Sequence, residues 1–331
     1  MEPGVTAARL FKCNGASARG IPRFSPLIAP GPRRLGSMAW RHALLIDPAA
    51  SDDPRDDFTG TFTEIDPSAP ALSVGELSTQ RGDGIFESIG VVDGHPQEVA
   101  AHLERLAHSA RLCDLPAPNL AQWRAAIEAA AAACPPEECV IKLILSRGVE
   151  HGPTPTAWVT VAIAPDTSVA RARGIRVVTL DRGLDSTAPA RAPWLLLGAK
   201  TLSYATNMAA LREAHRRGAD DAVYVSRDGL LLEGPTSSLV LRIGDRFTTP
   251  EPGAGILHGT TQLSLFSWLE GAGFTTCYEA LPVEALRGAD AAWLVSSVRL
   301  AAGITVVDGQ PIPYDAAFTR DLNEYLLSPR D

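Results

Sequence analysis

Lys200 closes the apolar run Trp194-Leu195-Leu196-Leu197-Gly198-Ala199. An ammonium held against such a run is partly desolvated, which lowers its pKa toward an amine that can add to an aldehyde. The plainer alternative is a solvated lysine at a strand end. Thr260 and Thr261 stand just before a helical stretch that starts near Gln262. Their amides and hydroxyls suit a doubly charged phosphate at a helix N-terminus, and the same geometry serves a simple cap. Arg105 sits between Leu103 and Leu106, where a guanidinium either grips phosphate with paired donors or lies solvated on an amphipathic helix. Glu233 comes 33 residues after Lys200. By itself it reads as a solvated hairpin glutamate, the usual fate of Glu in such turns. Arg81, Lys142 and Arg147 are candidate anion contacts, each with an equally open reading as a solvated charge at a strand end.

These residues need a scaffold, and the patterning supplies one from Met38 onward. Strands are predicted at 43–46, 84–92, 140–146 and 157–164, with helices at 96–112 and 120–134 between them. The first helix carries Val99, Leu103, Leu106 and Ala110 at helical spacing. A polar stretch, Asp166 to Arg171, reads as a short link. Beyond it come a strand at 175–180, a helix at 204–217 and a hairpin of 222–226 with 230–233 across Asp228-Gly229. A second hairpin joins 238–243 to 247–249. A helix at 262–269, strands at 291–296 and 304–307 and a closing amphipathic helix complete the reading. Strands and helices mix as in an α/β protein with two unequal halves: a small α+β domain at 38–164, a linker at 165–171 and a larger β-rich α/β domain at 172–331. Residues 1–37, rich in Pro, Gly, Arg and Ser and lacking either period, read as a disordered extension.

Composition narrows the partners. With 45% hydrophobic and 21% charged residues, the chain has ordinary globular usage. Its 30 Lys and Arg against 38 Asp and Glu leave a formal charge of -8, which repels nucleic acid and leaves an anionic small substrate dependent on local cations. Apolar runs are too short to span a bilayer, with Trp194 to Leu197 read as one short buried stretch. Five scattered cysteines make no disulfide framework, and Cys134 and Cys139 have no second pair to complete a metal set, so no metal is expected and a cytoplasmic setting fits.

Four segments occur together in order: His102-Leu103-Glu104-Arg105-Leu106, Gly198-Ala199-Lys200-Thr201-Leu202-Ser203-Tyr204, Asp228 to Ser238, and Gly255-Ile256-Leu257-His258-Gly259-Thr260-Thr261-Gln262. The set resembles the class IV aminotransferases from Met38 to the C-terminus. The resemblance implies fold type IV, like D-amino-acid aminotransferase, with pyridoxal 5'-phosphate between the two domains. By it, Lys200 binds the cofactor and moves the proton at the substrate carbon. Glu233 faces the pyridine nitrogen, Tyr204 the ring hydroxyl, and Arg105, Thr260, Thr261 and Ser296 the phosphate. Ser297 would offer an amide to the substrate carboxylate, with Arg81, Lys142 and Arg147 as further substrate contacts. A homodimer is implied by the same likeness.

Within the family, Ile141 to Gly148 resembles the aminodeoxychorismate lyases, which release pyruvate and 4-aminobenzoate for folate synthesis, and Arg81 to Glu87 resembles the lyase and D-amino-acid aminotransferase loops more than those of branched-chain enzymes. Many of those lyases carry a second glycine-rich arginine segment where this chain has Val149-Glu150-His151-Gly152-Pro153. The alternatives are amino transfer from D-amino or branched-chain acids, and a non-catalytic binding protein on the same fold.

Overall fold

The computed structural model describes residues 40–331, so the extension expected at 1–37 lies outside the described residues. The first sheet has six strands: β1 (Trp40–Ile46), β2 (Phe62–Glu64), β3 (Gly84–Val92), β4 (His95–Pro96), β5 (Cys139–Ser146) and β6 (Thr156–Ile163). They lie antiparallel in the order β2-β1-β6-β5-β3-β4. Helices α1 (Leu77–Gln80), α2 (Val99–Leu112) and α3 (Leu120–Ala132) belong to the same part of the chain. Period-two alternation in β3 sends Ile85, Glu87, Ile89 and Val91 to one face. That face packs on the helical stripe Leu103, Leu106 and Ala110 of α2 and on Trp123 and Ile127 of α3. Asn119 caps α3 by accepting from the Gln122 amide at 2.9 Å, an interaction worth about 1 kcal/mol. Helix α2 starts three residues later than its apolar pattern suggests. Pro96 is taken by β4, and Glu98 turns the chain with a left-handed φ of 57°.

The second sheet is mixed. It contains β7 (Ile175–Asp181), β8 (Asp221–Val225), β9 (Ser238–Ile243), β10 (Arg246–Pro250), β11 (Thr275–Glu279), β12 (Ala291–Ser296), β13 (Leu300–Val307) and β14 (Gln310–Pro311). The order is β11-β10-β9-β12-β13-β7-β8, with β14 on β13. Around it run α4 (Ser168–Arg173), α5 (Ala188–Arg191), α6 (Ala205–Arg216), α7 (Thr260–Gly271), α8 (Glu284–Gly288) and α9 (Ala316–Leu326). Val240, Phe247 and Trp293 bury one face against Leu265 and Leu269 of α7 and Leu322 and Leu326 of α9. Leu239, Leu241, Leu294 and Ile304 bury the other with Leu281 and Leu286. The described residues fall within one compact unit, and no helix among them is long and apolar enough to cross a membrane.

Three local readings change. The polar link at 166–171 is largely helix α4, whose Arg171 forks onto Glu138 at 2.9 and 3.1 Å. Residues 230–233 form no continuous strand, because Leu231 gives its amide to the Leu281 carbonyl at 2.7 Å and bridges only singly to Val225. Trp194 and Leu195 are not buried: Pro193 opens a short turn that leaves Trp194 75% exposed.

Candidate active site

Lys200 is placed by the open edge of β3. The Lys200 carbonyl accepts from the Phe86 amide at 3.0 Å, Leu202 donates to the Gly84 carbonyl at 2.8 Å, and Ile85 bridges Thr201. From the other side, Ser109 of α2 accepts the Lys200 amide at 3.1 Å. The side chain then lies over the Phe86 ring, Nζ 4.5 Å from its centroid, with the Tyr204 ring 6.0 Å away. Burial is the main reason the Lys200 pKa falls to about 8, and the nearby Arg105 and Lys142 cations push the same way against Glu87 and Glu233. A lysine so tuned is a nucleophile near neutral pH.

A pH series tests this directly. In the free protein, capture of a small aldehyde at Lys200, trapped by borohydride and mapped by mass spectrometry, is expected to rise from pH 6.5 and level off above pH 9. Below its pKa the amine is protonated and unreactive. An ordinary lysine, with a pKa of about 10.4, would keep gaining well past that point.

A second cluster forms where α2 meets the start of α7. Arg105 grips the fully buried Glu87 of β3 with two bonds, Nε to Oε1 at 2.8 Å and Nη2 to Oε2 at 2.7 Å. Its Nη1 donates to the His258 carbonyl at 3.0 Å, which leaves further N–H donors uncommitted. His102 Nδ1 meets Glu87 Oε2 at 2.7 Å. Burial keeps His102 below the usual histidine range. A neutral ring with its proton on Nδ1 therefore donates to the carboxylate and turns Nε2 outward as an acceptor. Nε2 lies 3.2 Å from Thr260 Oγ1 and 3.3 Å from Ser297 Oγ, and Ser297 Oγ lies 3.2 Å from Thr261 Oγ1. The Arg105 guanidinium holds the Glu87 carboxyl far below the carboxylate range despite its burial.

The backbone is arranged to leave this cup open. Gly259 precedes α7 and offers no side chain to cap it, and no acidic residue stands in the first turn. The opening amides of this twelve-residue helix, which begins at Thr260, therefore have no side-chain cap. A Cβ at Gly259 would come 2.2 Å from Ser238 Oγ, and one at Gly90 would come 2.4 Å from the Ser297 carbonyl, so both glycines are needed for the close approach.

Glu233 lies in a third position. Its Oε2 accepts the Leu257 amide at 3.1 Å, and Oε1 lies 3.4 Å from Arg182 Nη1. Burial raises its pKa, while Arg182, the Leu257 amide and Lys200 oppose the rise. Arg182 also stacks on Tyr224, 5.1 Å from the ring centroid. Tyr204 donates its hydroxyl to the Pro235 carbonyl at 3.0 Å, and burial holds that phenol above its usual range.

The structure therefore brings Lys200, Arg105, Tyr204, Glu233, Thr260, Thr261 and Ser297 to one region. Ser296 turns aside, its hydroxyl accepting the Arg299 amide at 3.3 Å. Lys142 Nζ also lies over the Phe86 ring, 5.6 Å from its centroid, with its pKa lowered by burial. Arg147 is committed elsewhere, forked onto Asp83 and donating to the Cys113 and Asp114 carbonyls. Arg81 is exposed beside Glu150. Glu87, His102 and Arg182 are given no role by the sequence reading. A usable signal for the first two was a glutamate on the apolar face of β3 opposite His102 and Arg105, three residues apart on α2. Among the described residues, no group of three or more His, Cys, Asp or Glu is arranged to hold a metal.

The family model for amino-transferase class IV matches residues 84–307. A bifunctional aminodeoxychorismate lyase / D-amino acid transaminase of Mycobacterium tuberculosis is 45% identical over 260 residues, 75% of this chain and 90% of the relative. A fold IV transaminase from Curtobacterium pusillum superposes with a TM-score of 0.82 at 48% identity, covering 86% of this chain and 97% of that one. A hypothetical aminotransferase from Mycobacterium tuberculosis in its PLP-bound form does so at 0.78 and 41% identity, with the same coverage.

Proposed function

The chain belongs to the class IV aminotransferase family, and on that premise we propose that it is an aminodeoxychorismate lyase, releasing pyruvate and 4-aminobenzoate. It is a pyridoxal-phosphate enzyme of fold type IV. The cup fits that group: uncapped helix amides, three hydroxyls and the spare donors of Arg105 suit a phosphate dianion, and Lys200 suits an aldehyde. Pyridoxal phosphate supplies, when bound, an aldehyde for amines and a ring that draws electrons from the neighbouring carbon.

The chain's own residues do the rest. Arg105, Thr260, Thr261 and Ser297 would hold the phosphate, and Glu87 with His102 fixes the guanidinium and the hydroxyls. Glu233 would keep a ring nitrogen protonated, since Arg182 and the Leu257 amide favour its charged form. Tyr204 would face the ring hydroxyl. Lys200 Nζ, with its pKa of about 8, can both take and return a proton at the substrate carbon near neutral pH.

The choice of a dicarboxylate substrate rests on one observation. The chain has only three lysines, Lys12, Lys142 and Lys200, against 27 arginines, and the two described ones both lie over the Phe86 ring. Lys142 is a desolvated cation, and no carboxylate lies within salt-bridge distance among the described residues. It would meet a second substrate carboxylate, as such a substrate requires. Arg147 and Arg81, given to Asp83 and Glu150, would contribute only by leaving those partners. The second reading, D-amino acid amino transfer, is supported alongside the first by the mycobacterial relative, which carries both activities in its name.

The deciding assay supplies aminodeoxychorismate and follows pyruvate with 4-aminobenzoate, beside D-alanine with 2-oxoglutarate. Faster pyruvate release from aminodeoxychorismate is expected. Rapid transamination of D-alanine with no 4-aminobenzoate would replace the lyase by the aminotransferase. A cytoplasmic homodimer completes the proposal, with the exposed Trp194 and Leu195 offering apolar surface to a second copy.

A further inference from the structure

Two helices meet at the anion cup, α2 through His102 and Arg105 and α7 through Thr260 and Thr261. One helical turn behind the cup, the same two helices are tied together again by the last turn of α9 and the residues after it. On α7, Ser264 lies four residues after Thr260. Its hydroxyl is 2.9 Å from Tyr325 Oη, and Tyr325 Oη also reaches the Ser264 carbonyl at 3.3 Å. Just before α2, Glu98 lies four residues ahead of His102. Its carboxylate accepts Arg330 Nε at 3.0 Å, and its amide donates to the Arg330 carbonyl at 3.0 Å.

Arg330 joins the two ends. Its guanidinium stacks on the Tyr325 ring, 5.0 Å from the centroid, and donates to the carbonyls of Tyr325 and Ser328, each at 2.9 Å. Its side chain and that of Glu98 are only 10% and 11% exposed, so the pair is shielded, unlike the solvated pairs that contribute little. Glu98 holds a left-handed φ of 57°, which a residue with a Cβ keeps only when its surroundings hold it there. Both its amide and its carboxylate are bound to Arg330. The seven residues from Val99, next to Glu98, to Arg105 span about 10 Å of helix, short enough to move as a rigid rod.

We propose that Arg330 is a positioning residue for the cup: through Glu98 and Tyr325 it sets the spacing of α2 against α7, and so the fit of a phosphate between Arg105 and the Thr260 and Thr261 amides. The inference rests on reading the cup as a phosphate seat. It requires that loosening a contact two helical turns from Arg105 changes affinity for the phosphate alone.

The test is calorimetric titration of the full, cofactor-free chain with inorganic phosphate, pyridoxal phosphate and pyridoxal, far below the melting temperature. Arg330→Ala is expected to weaken phosphate and pyridoxal phosphate roughly tenfold while pyridoxal, which lacks the phosphate, binds unchanged. Glu98→Gln, which keeps shape and backbone contacts, is expected to move affinity the same way by a smaller factor, and serves if the first variant folds poorly. Unchanged phosphate affinity in the variants overturns the proposal, as does equal weakening of pyridoxal and its phosphate, which is what a purely structural Arg330 would give. An unsubstituted chain that binds no phosphate at all overturns the reading of the cup, and the inference with it.

Discussion

Lys200→Ala is expected to abolish covalent cofactor attachment and to reduce turnover by about 10⁴-fold, the upper range for losing a positioned proton-transfer group. The fold should survive. Lys200 is held in place by backbone bonds to Phe86 and Ser109 that alanine retains, and the deleted ammonium is a desolvated cation whose burial costs free energy. Far- and near-ultraviolet circular dichroism should match those of the unsubstituted protein, while the visible absorption that follows cofactor addition disappears. Borohydride reduction of the unsubstituted protein should fix the cofactor on the Lys200 peptide. The chain has three lysines, so the assignment is clean, and label on Lys142 would transfer the role to the second lysine over Phe86.

Much of this site could be read before any coordinates, and the parts that could not share a physical cause. Strands β3, β9 and β12 have the bounds their apolar patterns suggest, because each is a largely apolar run, buried on both faces, that one stretch of chain specifies. Lys200, Thr260 and Arg105 likewise stood out by their neighbours in sequence. What escaped was pairing between distant segments. Glu87 and Arg105 are 18 residues apart, and Arg330 and Glu98 are 232 apart. Nothing in either sequence neighbourhood states that the charges meet. Arg147 illustrates the reverse error: as a lone cation at a strand end it suits a substrate, yet Asp83 and two carbonyls of the chain already take its guanidinium. The exposed Trp194 misled for a similar reason. An apolar run implies burial against something, and the run alone does not say whether that surface belongs to the same chain.

The second large effect concerns Glu233. Glu233→Gln keeps the side-chain volume, and its amide oxygen can still accept from the Leu257 amide as Oε2 does now at 3.1 Å. The amide nitrogen must then face Arg182, where one donor meets another and the charge pair is gone. The cup of Arg105, Thr260, Thr261 and Ser297 is untouched, so affinity for pyridoxal phosphate should stay within a few-fold. Turnover should fall by about 10²- to 10³-fold, the scale of losing one group aimed at charge that develops in the transition state. Both kcat and kcat/KM should drop together. Turnover within threefold of the unsubstituted enzyme would remove Glu233 from this role. Arg182 gives an independent handle with a definite sign. It lowers the Glu233 pKa against the rise caused by burial, so Arg182→Gln lets that pKa climb. If the charged carboxylate is what turnover needs, activity falls as pH drops through the Glu233 pKa. The acidic limb of the pH profile in the Arg182 variant must then begin at higher pH than in the unsubstituted enzyme. A limb that stays in place, or moves to lower pH, would show that Glu233 acts in some other protonation state.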